Sequence, residues 1–273
     1  MPELPEVETV RSALAAAVQG LRVVKVRGRS VAMRRPLDVG ELAAILPGRH
    51  LLEPRRRGKF LLLDTDPAGS ILLHLGMSGI LQLVPAVEHL RAHTHLVLEL
   101  DDGRELRFVD PRRFGMVVWL APGDEADDPS LRTLGMEPLN PDLSQSLPPL
   151  IRNRRAPIKS LLLDQHLVAG IGNIYAAEAL WRAGIHPKRA GNRISLVRLL
   201  ALTSTVQEVL AEAIAEGGTT LRDFATPDGN SGYFAVNLQI YGRQGEPCLR
   251  CGTTIRAEAI AGRTTTWCPE CQR

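Results

Sequence analysis

The sequence lacks the long apolar runs that form membrane-spanning helices. None of its 273 residues lies in a run of about 18 consecutive apolar side chains. Its first six residues, Met1 to Glu6, include two glutamates and two prolines, unlike the basic start and apolar middle of a signal peptide. We therefore expect a cytoplasmic protein that does not associate with membranes.

The sequence also lacks a large excess of one charge. With a net charge of +3 and 44% hydrophobic residues, it differs from disordered chains and is long enough for two compact domains. Charge is unevenly distributed, however, and each cluster taken alone is typical of a solvated surface. Several basic clusters that converge on one groove would suit a phosphate backbone. The basic clusters are Arg34-Arg35, Arg55 to Arg57 with Lys59, Arg112-Arg113 and Arg152 to Lys159, and acids gather at Asp124 to Asp128.

Cysteine is absent from most of the chain, and all four cysteines lie in the last 26 residues. They form two Cys-x2-Cys pairs, Cys248 with Cys251 and Cys268 with Cys271, separated by 16 residues. This spacing in a cytosolic protein indicates one zinc ion, and disulfides or another metal remain the alternatives. Four sulfur ligands leave no open position for a substrate, so we expect a structural zinc. Residues 253–260 and 263–267 read as a hairpin with Arg263 near its tip.

The first half of the chain has the pattern of a helix followed by many strands. Val7, Val10, Leu14 and Val18 recur at helical spacing, and Gly20 follows as a stop. Strands without intervening helices favour an antiparallel sandwich or barrel, and Asp102-Gly103 is a strong hairpin signal. The predicted strands are 22–26, 60–64, 71–75, 80–84, 95–100, 105–109 and 116–120.

After about residue 130 the pattern becomes helical, at 161–164, 174–183 and 196–216, and Gly217-Gly218 ends the last helix. The predicted division is 1–133 for a β-sandwich domain, 134–149 for a linker with four prolines, 150–235 for a helical domain and 236–273 for a zinc finger. Asn173 is the expected N-cap of a helix that follows a glycine-rich turn. The stretch 226–233 is expected to be a mobile loop. The seven histidines show no metal-site spacing, and His74 is expected to have a structural role.

Several short motifs follow one another from one end of the chain to the other. The chain opens on Met1-Pro2-Glu3-Leu4-Pro5-Glu6-Val7-Glu8-Thr9-Val10. Further along lie Gly58-Lys59-Phe60, His74 to Gly79, Asp110 to Gly115, Gly170 to Tyr175 leading to Glu178, and the cysteine pairs. In this order the motifs resemble those of the formamidopyrimidine-DNA glycosylase / endonuclease VIII family, whose amino terminus is similar to the opening of this chain.

The resemblance implies an α+β fold. Its parts are an N-terminal antiparallel β-sandwich with flanking helices and a C-terminal helix-two-turns-helix domain with a zinc-ribbon hairpin. The resemblance makes residues 1–133 the catalytic domain and residues 150–235 the DNA-binding domain. It further implies a bifunctional DNA glycosylase and AP lyase of base-excision repair. Such an enzyme flips out and excises oxidised purines, including 8-oxoguanine and formamidopyrimidines, and then cleaves the strand by β,δ-elimination. The implied partner is double-stranded DNA containing an oxidised base, and the expected assembly is a monomer.

The resemblance places the chemistry on the amino-terminal nitrogen of Pro2, once Met1 is removed. This secondary amine, with a reference α-amino pKa of about 8, can attack C1′ and form a Schiff base. Glu3 is the implied general acid and base, and Glu6 is implied to orient the site. Lys59 and Arg263 complete the catalytic set as phosphate contacts. Without the resemblance, Pro2 and both glutamates would be ordinary residues of a helix N-terminus.

The remaining site residues are implied to contact DNA. Met77, Arg112 and Phe114 would fill the space left by the flipped base, with Arg112 facing the orphaned cytosine and Phe114 wedged in the base stack. Arg113 is expected to contact DNA within the same motif. Lys159, Asn173 and Arg263 would grip phosphates around the lesion.

Two other functions remain open at this point. Endonuclease VIII has the same implied fold and nucleophile but prefers oxidised pyrimidines, whereas Leu4 and Arg112-Arg113-Phe114 look like the purine-specific branch. A non-catalytic zinc protein that binds DNA would keep Asn173, Arg263 and the cysteines while losing Pro2 or Glu3. Both residues are present, which favours catalysis.

Overall fold

A computed structural model describes residues 1–218 and 238–273. The predicted loop at 226–233 lies outside these residues. The described chain divides into two compact units, the first comprising Met1–Arg132 with Gly217 and Gly218, the second Thr133–Glu216 with 238–273. The four predicted domain boundaries stay predictions. In the described part of the chain, no helix combines the length and apolar character needed to cross a membrane.

The first unit contains two antiparallel sheets that share one core with two helices, α1 (Leu4–Val18) and α2 (Val39–Ile45). One sheet has the strand order β1-β7-β8-β6, and the other has β2-β4-β5-β9 with β3 paired to β4. This sandwich confirms the predicted fold of the N-terminal half. The strands are β1 (Val23–Gly28), β2 (His50–Leu51), β3 (Arg55–Arg57), β4 (Phe60–Asp66), β5 (Ser70–His74), β6 (Ile80–Pro85), β7 (Thr94–Leu100), β8 (Arg104–Val109) and β9 (Met116–Leu120).

Helix α1 packs its predicted apolar stripe into the sandwich core. Val7, Val10, Leu14 and Val18 are at most 1% exposed, and burial of each such side chain contributes about 1.5–3 kcal/mol. The hairpin predicted at Asp102-Gly103 joins β7 to β8, where Gly103 has a φ of 84° and Asp102 Oδ1 accepts from the Arg104 amide at 3.0 Å.

The second unit contains four helices, α3 (Leu143–Arg152), α4 (Ile158–Leu163), α5 (Asn173–Arg182) and α6 (Leu196–Ala215), and a hairpin of β10 (Arg256–Ile260) with β11 (Arg263–Trp267). Helix α4, the turns at 164–172 and α5 form the predicted helix-two-turns-helix. Helix α6 contacts both α3 and α5. It ends before Gly217 and Gly218, both with a φ of 85°, as predicted.

Helix α3 begins at Leu143, inside the predicted linker at 134–149, and includes Pro148 and Pro149. Prolines remove backbone donors from a helix interior and therefore favoured a linker. Burial of Leu143, Leu147 and Ile151 on one face offsets that cost. The prediction that Asn173 caps α5 was wrong by one position, because the N-cap is Gly172 and Asn173 is the first helical residue.

Candidate active site and nucleic-acid interface

The amino terminus is fixed by two buried carboxylates at the start of α1. Pro2 is buried, and Glu3 and Glu6 are 2% and 0% exposed. Glu3 and Glu6 form a capping box, in which the Glu3 amide donates to Glu6 Oε2 at 2.7 Å. Glu6 thereby holds the backbone immediately after Pro2. A proline nitrogen and two carboxylates are thus preorganised within one helical turn.

The turn that carries Lys59 is fastened to the same helix. Lys59 lies between β3 and β4 and is 7% exposed, and α1 contacts both strands. Arg56 Nε donates to Glu8 Oε2 of α1 at 2.8 Å, while Arg56 Nη1 donates to the Gly58 carbonyl at 3.0 Å. Since one guanidinium bridges the helix and the turn, Lys59 has a defined position relative to α1.

His74 is a buried neutral imidazole beside this basic turn. Burial, followed by the positive charges of Arg34 and Lys59, lowers its pKa from 6.5 to about 3. Its Nδ1 accepts from the Gly76 amide at 2.9 Å, so the proton of the neutral ring lies on Nε2. The imidazole therefore shapes the turn that presents Met77. Sequence reasoning gave His74 a structural role, and its place beside Gly76 in the motif is the signal for this contact.

Acidification is expected to destabilise the first unit through His74. A pKa that is lower in the folded state means that the stabilisation is complete above pH 6.5 and decreases as the pH falls toward 3. The maximum slope is about 1.4 kcal/mol per pH unit. The free energy of unfolding, measured in urea at pH 7 and pH 5, should decrease less with falling pH in His74→Asn than in the wild type. The Asn amide oxygen can still accept the hydrogen bond from the Gly76 amide. Equal pH dependence in wild type and variant would contradict this assignment.

The loop after β8 is organised by Asp110, which is 0% exposed. Its carboxylate accepts from Ser78 Oγ at 2.7 Å and from the amides of Gly115 at 2.8 Å and Arg112 at 3.3 Å. These bonds join the Met77 turn to the loop that carries Arg112 and Phe114. A buried carboxylate with several donors fixes the shape of both loops.

The two loops present exposed side chains next to one another. Met77 and Phe114 are 37% and 48% exposed, and the Arg112 guanidinium lies 4.8 Å from the centre of the Phe114 ring. Gly76, with a φ of 64°, lies so close to Phe114 that an added Cβ would be 2.4 Å from its carbonyl carbon. The Met77 turn and Phe114 are therefore neighbours. Arg113 has a φ of 56°, which turns the chain between Arg112 and Phe114; its predicted DNA contact stays a prediction.

In the second unit, Lys159 does not reach the surface. It is 0% exposed, and its Nζ donates to Thr265 Oγ1 of β11 at 2.5 Å. The Thr265 hydroxyl donates in turn to the Arg263 carbonyl at 3.0 Å, and Asn173 Nδ2 donates to the Thr264 carbonyl at 3.0 Å. In this structure Lys159 and Asn173 therefore hold the strand that carries Arg263. The phosphate contact expected of Lys159 stays a prediction.

Replacing Lys159 by Met should weaken the second unit while preserving aliphatic packing. Loss of a buried charged donor costs about 1–3 kcal/mol, measured as a decrease in the free energy of unfolding. Thr265→Val should cause a similar loss, and the double variant should lose less than the sum, because one hydrogen bond is removed twice. A direct phosphate contact would give a different result. The losses in the free energy of unfolding would then be strictly additive, and only Lys159→Met would change the salt dependence of DNA binding.

Glu178 of α5 holds the start of the segment that leads to the zinc ribbon. Its carboxylate accepts from the amides of Gln239 at 3.1 Å, Ile240 at 3.0 Å and Tyr241 at 2.9 Å. Burial raises the pKa of Glu178, and the three amide donors and Arg182 oppose that rise. The sequence motif contained this glutamate but gave no indication of its bonding.

The four cysteines converge as predicted. Their Sγ atoms all lie within 4.8 Å of one another, with Cys251 and Cys268 at 3.4 Å and Cys248 and Cys271 at 3.9 Å. Tetrahedral zinc with Zn–S bonds of about 2.3 Å requires sulfur atoms about 3.8 Å apart. The site therefore fits one structural zinc, and within residues 1–218 and 238–273 it is the one cluster of potential metal ligands found.

The zinc ribbon is docked on α5. Its buried residues share a core with Ala177 and Trp181, and the Arg250 guanidinium lies 4.2 Å from the Trp181 ring centre. Gln272 links the zinc ribbon to the chain just after α5. Its side chain accepts from the Cys268 amide at 2.8 Å and donates to the Ile185 carbonyl at 3.0 Å. Zinc therefore fixes the hairpin that presents Arg263, whose turn contains Ala261 and Gly262 with φ of 51° and 69°.

Comparison with known proteins agrees with this geometry along the whole chain. Sequence models described as "Formamidopyrimidine-DNA glycosylase N-terminal domain", "Formamidopyrimidine-DNA glycosylase H2TH domain" and "Zinc finger found in FPG and IleRS" match residues 1–117, 134–225 and 245–273. The chain is 49% identical to formamidopyrimidine-DNA glycosylases of Acidithiobacillus ferrooxidans, over 275 residues, and Stenotrophomonas maltophilia, over 274 residues, covering 100% of each.

Solved structures show the same relationship. The crystal structure of the Fpg protein from Thermus thermophilus aligns with a TM-score of 0.88 and 40% identity, covering 99% of this chain and 98% of that one. Lactococcus lactis Fpg in complex with DNA containing an abasic site aligns with a TM-score of 0.91 and 32% identity, covering 99% of each chain. This chain therefore belongs to the formamidopyrimidine-DNA glycosylase family.

Proposed function

We propose that this chain is a bifunctional DNA glycosylase and AP lyase of base-excision repair that removes oxidised purines from double-stranded DNA. The observation that carries the proposal is the buried Pro2-Glu3-Glu6 arrangement at the start of α1 in a chain of this family. It supplies a nucleophile, a proton carrier and a group that holds the backbone between them.

The chemistry begins once removal of Met1 frees the Pro2 nitrogen as a secondary amine. Its lone pair attacks C1′ of the damaged nucleotide and displaces the base. The nitrogen then gives up its proton, and the C1′–O4′ bond breaks with protonation of O4′, which leaves an iminium ion at C1′ of the opened sugar. This electron sink acidifies the protons on C2′, so that β-elimination and then δ-elimination cleave the strand on both sides of the sugar. One nucleophile thus serves base release and strand cleavage.

We assign the proton transfers to Glu3 and the orientation of Glu3 to Glu6. Glu3 is 2% exposed, and a carboxylate kept from bulk water can deliver and remove protons at the sugar with little competition from solvent. Glu6 accepts from the Glu3 amide and so fixes the peptide that joins nucleophile and acid.

The lesion must leave the base stack before C1′ can be attacked. Met77 and Phe114, exposed and adjacent, would fill the gap, with Phe114 entering the stack and Arg112 facing the unpaired cytosine. Phosphates near the lesion are assigned to Lys59, Asn173 and Arg263, and Arg113 is assigned to the DNA contact of its loop. Lys159 supports Arg263 through Thr265.

The structural zinc would be held by Cys248, Cys251, Cys268 and Cys271, where it fixes the hairpin and takes no part in the reaction. The protein is expected to act as a monomer in the cytoplasm. That assignment agrees with a repair enzyme and with the absence of a membrane-spanning helix in residues 1–218 and 238–273.

The competing substrate class is the oxidised pyrimidines, and DNA containing one has been crystallised with Lactococcus lactis Fpg. Single-turnover excision should be faster on 8-oxoguanine opposite cytosine than on an oxidised pyrimidine in the same duplex. We expect a ratio of tenfold or more, as is common when a pocket distinguishes related groups. A ratio below one would assign the chain to the pyrimidine branch. Absence of excision on both would reject the glycosylase function.

A further inference from the structure

Two guanidinium groups of the basic stretch at 55–59 are bound to carboxylates of the protein itself. Arg55 Nη2 donates to Asp64 Oδ1 on the neighbouring strand at 2.9 Å. Arg56 Nε donates to Glu8 Oε2 at 2.8 Å, and the Arg56 side chain is 10% exposed. The Arg56 guanidinium is therefore directed at α1 and away from solvent.

Glu8 receives Arg56 at a defined place on α1. Its second oxygen, Oε1, accepts from Arg11 Nε at 2.7 Å, one turn further along the same helix. The Glu8 side chain is 18% exposed. A carboxylate with a guanidinium on each oxygen has little freedom to rotate, because both charge-assisted hydrogen bonds would have to break. We call Glu8, Arg11 and Arg56 the α1 clamp.

The α1 clamp extends to the turn that carries Lys59. Arg56 Nη1 donates to the Gly58 carbonyl at 3.0 Å. Arg57 is paired with Phe60 across the hairpin, so Gly58 and Lys59 form a two-residue turn whose conformation is tied to its strands. Lys59 is 7% exposed. The place of the Lys59 side chain therefore follows the place of the Arg56 guanidinium.

The α1 clamp connects the nucleophile to Lys59, because Pro2 lies just before the first residue of α1. The apolar face of the helix anchors it to the core, but hydrophobic burial is non-directional and does not fix how far the helix slides or rotates. The charge-assisted hydrogen bonds of the clamp are directional and set where the Lys59 turn lies along α1. A displacement of about 1 Å between reacting groups can slow a reaction about 10²-fold.

We propose that Arg56, held by Glu8, is a positioning residue that sets the distance between the Pro2 nitrogen and the DNA phosphate bound by Lys59. Arg56 acts through Lys59 and makes no contact of its own with the DNA. The inference rests on the proposed function, because it takes Pro2 as the nucleophile and Lys59 as a phosphate contact. The alternative is a clamp that only stabilises the first unit, and the test separates the two.

Arg56→Met keeps most of the aliphatic side chain and removes the guanidinium. It should slow single-turnover excision at saturating DNA about 10–100-fold and leave the affinity for the lesion duplex unchanged. Arg55→Met is the matched control, because it removes a guanidinium from the same strand, where the Arg55 side chain is 49% exposed. The control should change neither the rate nor the affinity.

Combining Arg56→Met with Lys59→Gln tests whether Arg56 acts through Lys59. The double variant should excise about as slowly as Lys59→Gln alone, since residues that act through one another are not additive. A further slowing by the full factor seen in Arg56→Met would reject this route and assign the clamp to stability.

Glu8→Gln takes the place of Arg56→Met in the same cycle if thermal unfolding shows that Arg56→Met does not fold. The Gln side chain has the same shape as Glu and keeps one acceptor oxygen, so it should slow excision less than the loss of the guanidinium. Normal excision by a folded Arg56→Met, or by Glu8→Gln in its place, would reject the proposal. Failure of the wild type to excise the lesion would reject the proposed function itself.

Discussion

Glu3→Gln is expected to bind lesion DNA with near-normal affinity and to excise the base about 10²–10⁴ times more slowly, the usual contribution of general acid–base catalysis. Gln is isosteric and keeps a side-chain oxygen for the capping box of α1, so the helix and the Pro2 position should persist. The variant loses the ability to carry a proton between the sugar and solvent. Single-turnover excision and equilibrium binding on the same duplex would separate the two effects.

Glu53→Gln is a suitable control for the removal of one negative charge, because the Glu53 side chain is 63% exposed. It should leave the excision rate unchanged. Near-normal excision by Glu3→Gln would show that another group carries the protons. Loss of binding together with excision would instead show that Glu3 has mainly a structural role.

Cys268→Ser is expected to release the zinc and weaken binding to lesion DNA more than tenfold, which is about 1.4 kcal/mol or more. Cys268 is 0% exposed and its amide is bonded to Gln272, so loss of this ligand removes both the metal and the docking of the ribbon on α5. The hairpin would then no longer present Arg263. Zinc content, duplex affinity and thermal unfolding provide the three measurements.

Arg263→Gln provides the comparison for the zinc variant. It should keep one zinc per chain and normal unfolding but bind and excise poorly, because it removes only the exposed guanidinium that is assigned to a phosphate. The first unit has its own core and should stay folded in Cys268→Ser. Full binding by a zinc-free Cys268→Ser protein would contradict the role given to the metal.

The elements with strong local signals were predictable from the sequence. The apolar stripe from Val7 to Val18 and the Asp102-Gly103 turn specify their structures through periodicity and turn chemistry, and both were confirmed. The cysteine spacing likewise predicted a four-sulfur cluster, and the structure contains it. In each case the determining contacts lie within a short stretch of chain or follow from one residue type.

Features that depend on contacts between distant segments were missed. The short β2 and β3 have few apolar residues of their own, and only Leu42 of the short α2 is buried. The proline-containing α3 is stabilised by the burial of Leu147 and Ile151, which composition does not reveal. Lys159 looks like a surface cation in sequence, but its partner Thr265 is 106 residues away. The role of Asp110 also depends on a distant residue, because its hydrogen bond to Ser78 joins two loops that carry site residues.

Borohydride reduction of the enzyme on a duplex with 8-oxoguanine opposite cytosine, followed by mass spectrometry of the digested complex, tests the central claim most directly. The account predicts one covalent adduct on the peptide that begins at Pro2. It also predicts no adduct in a chain with an extended amino terminus, where the Pro2 nitrogen is part of an amide. An adduct on Lys59 or another lysine, or trapping by the extended chain, would contradict it.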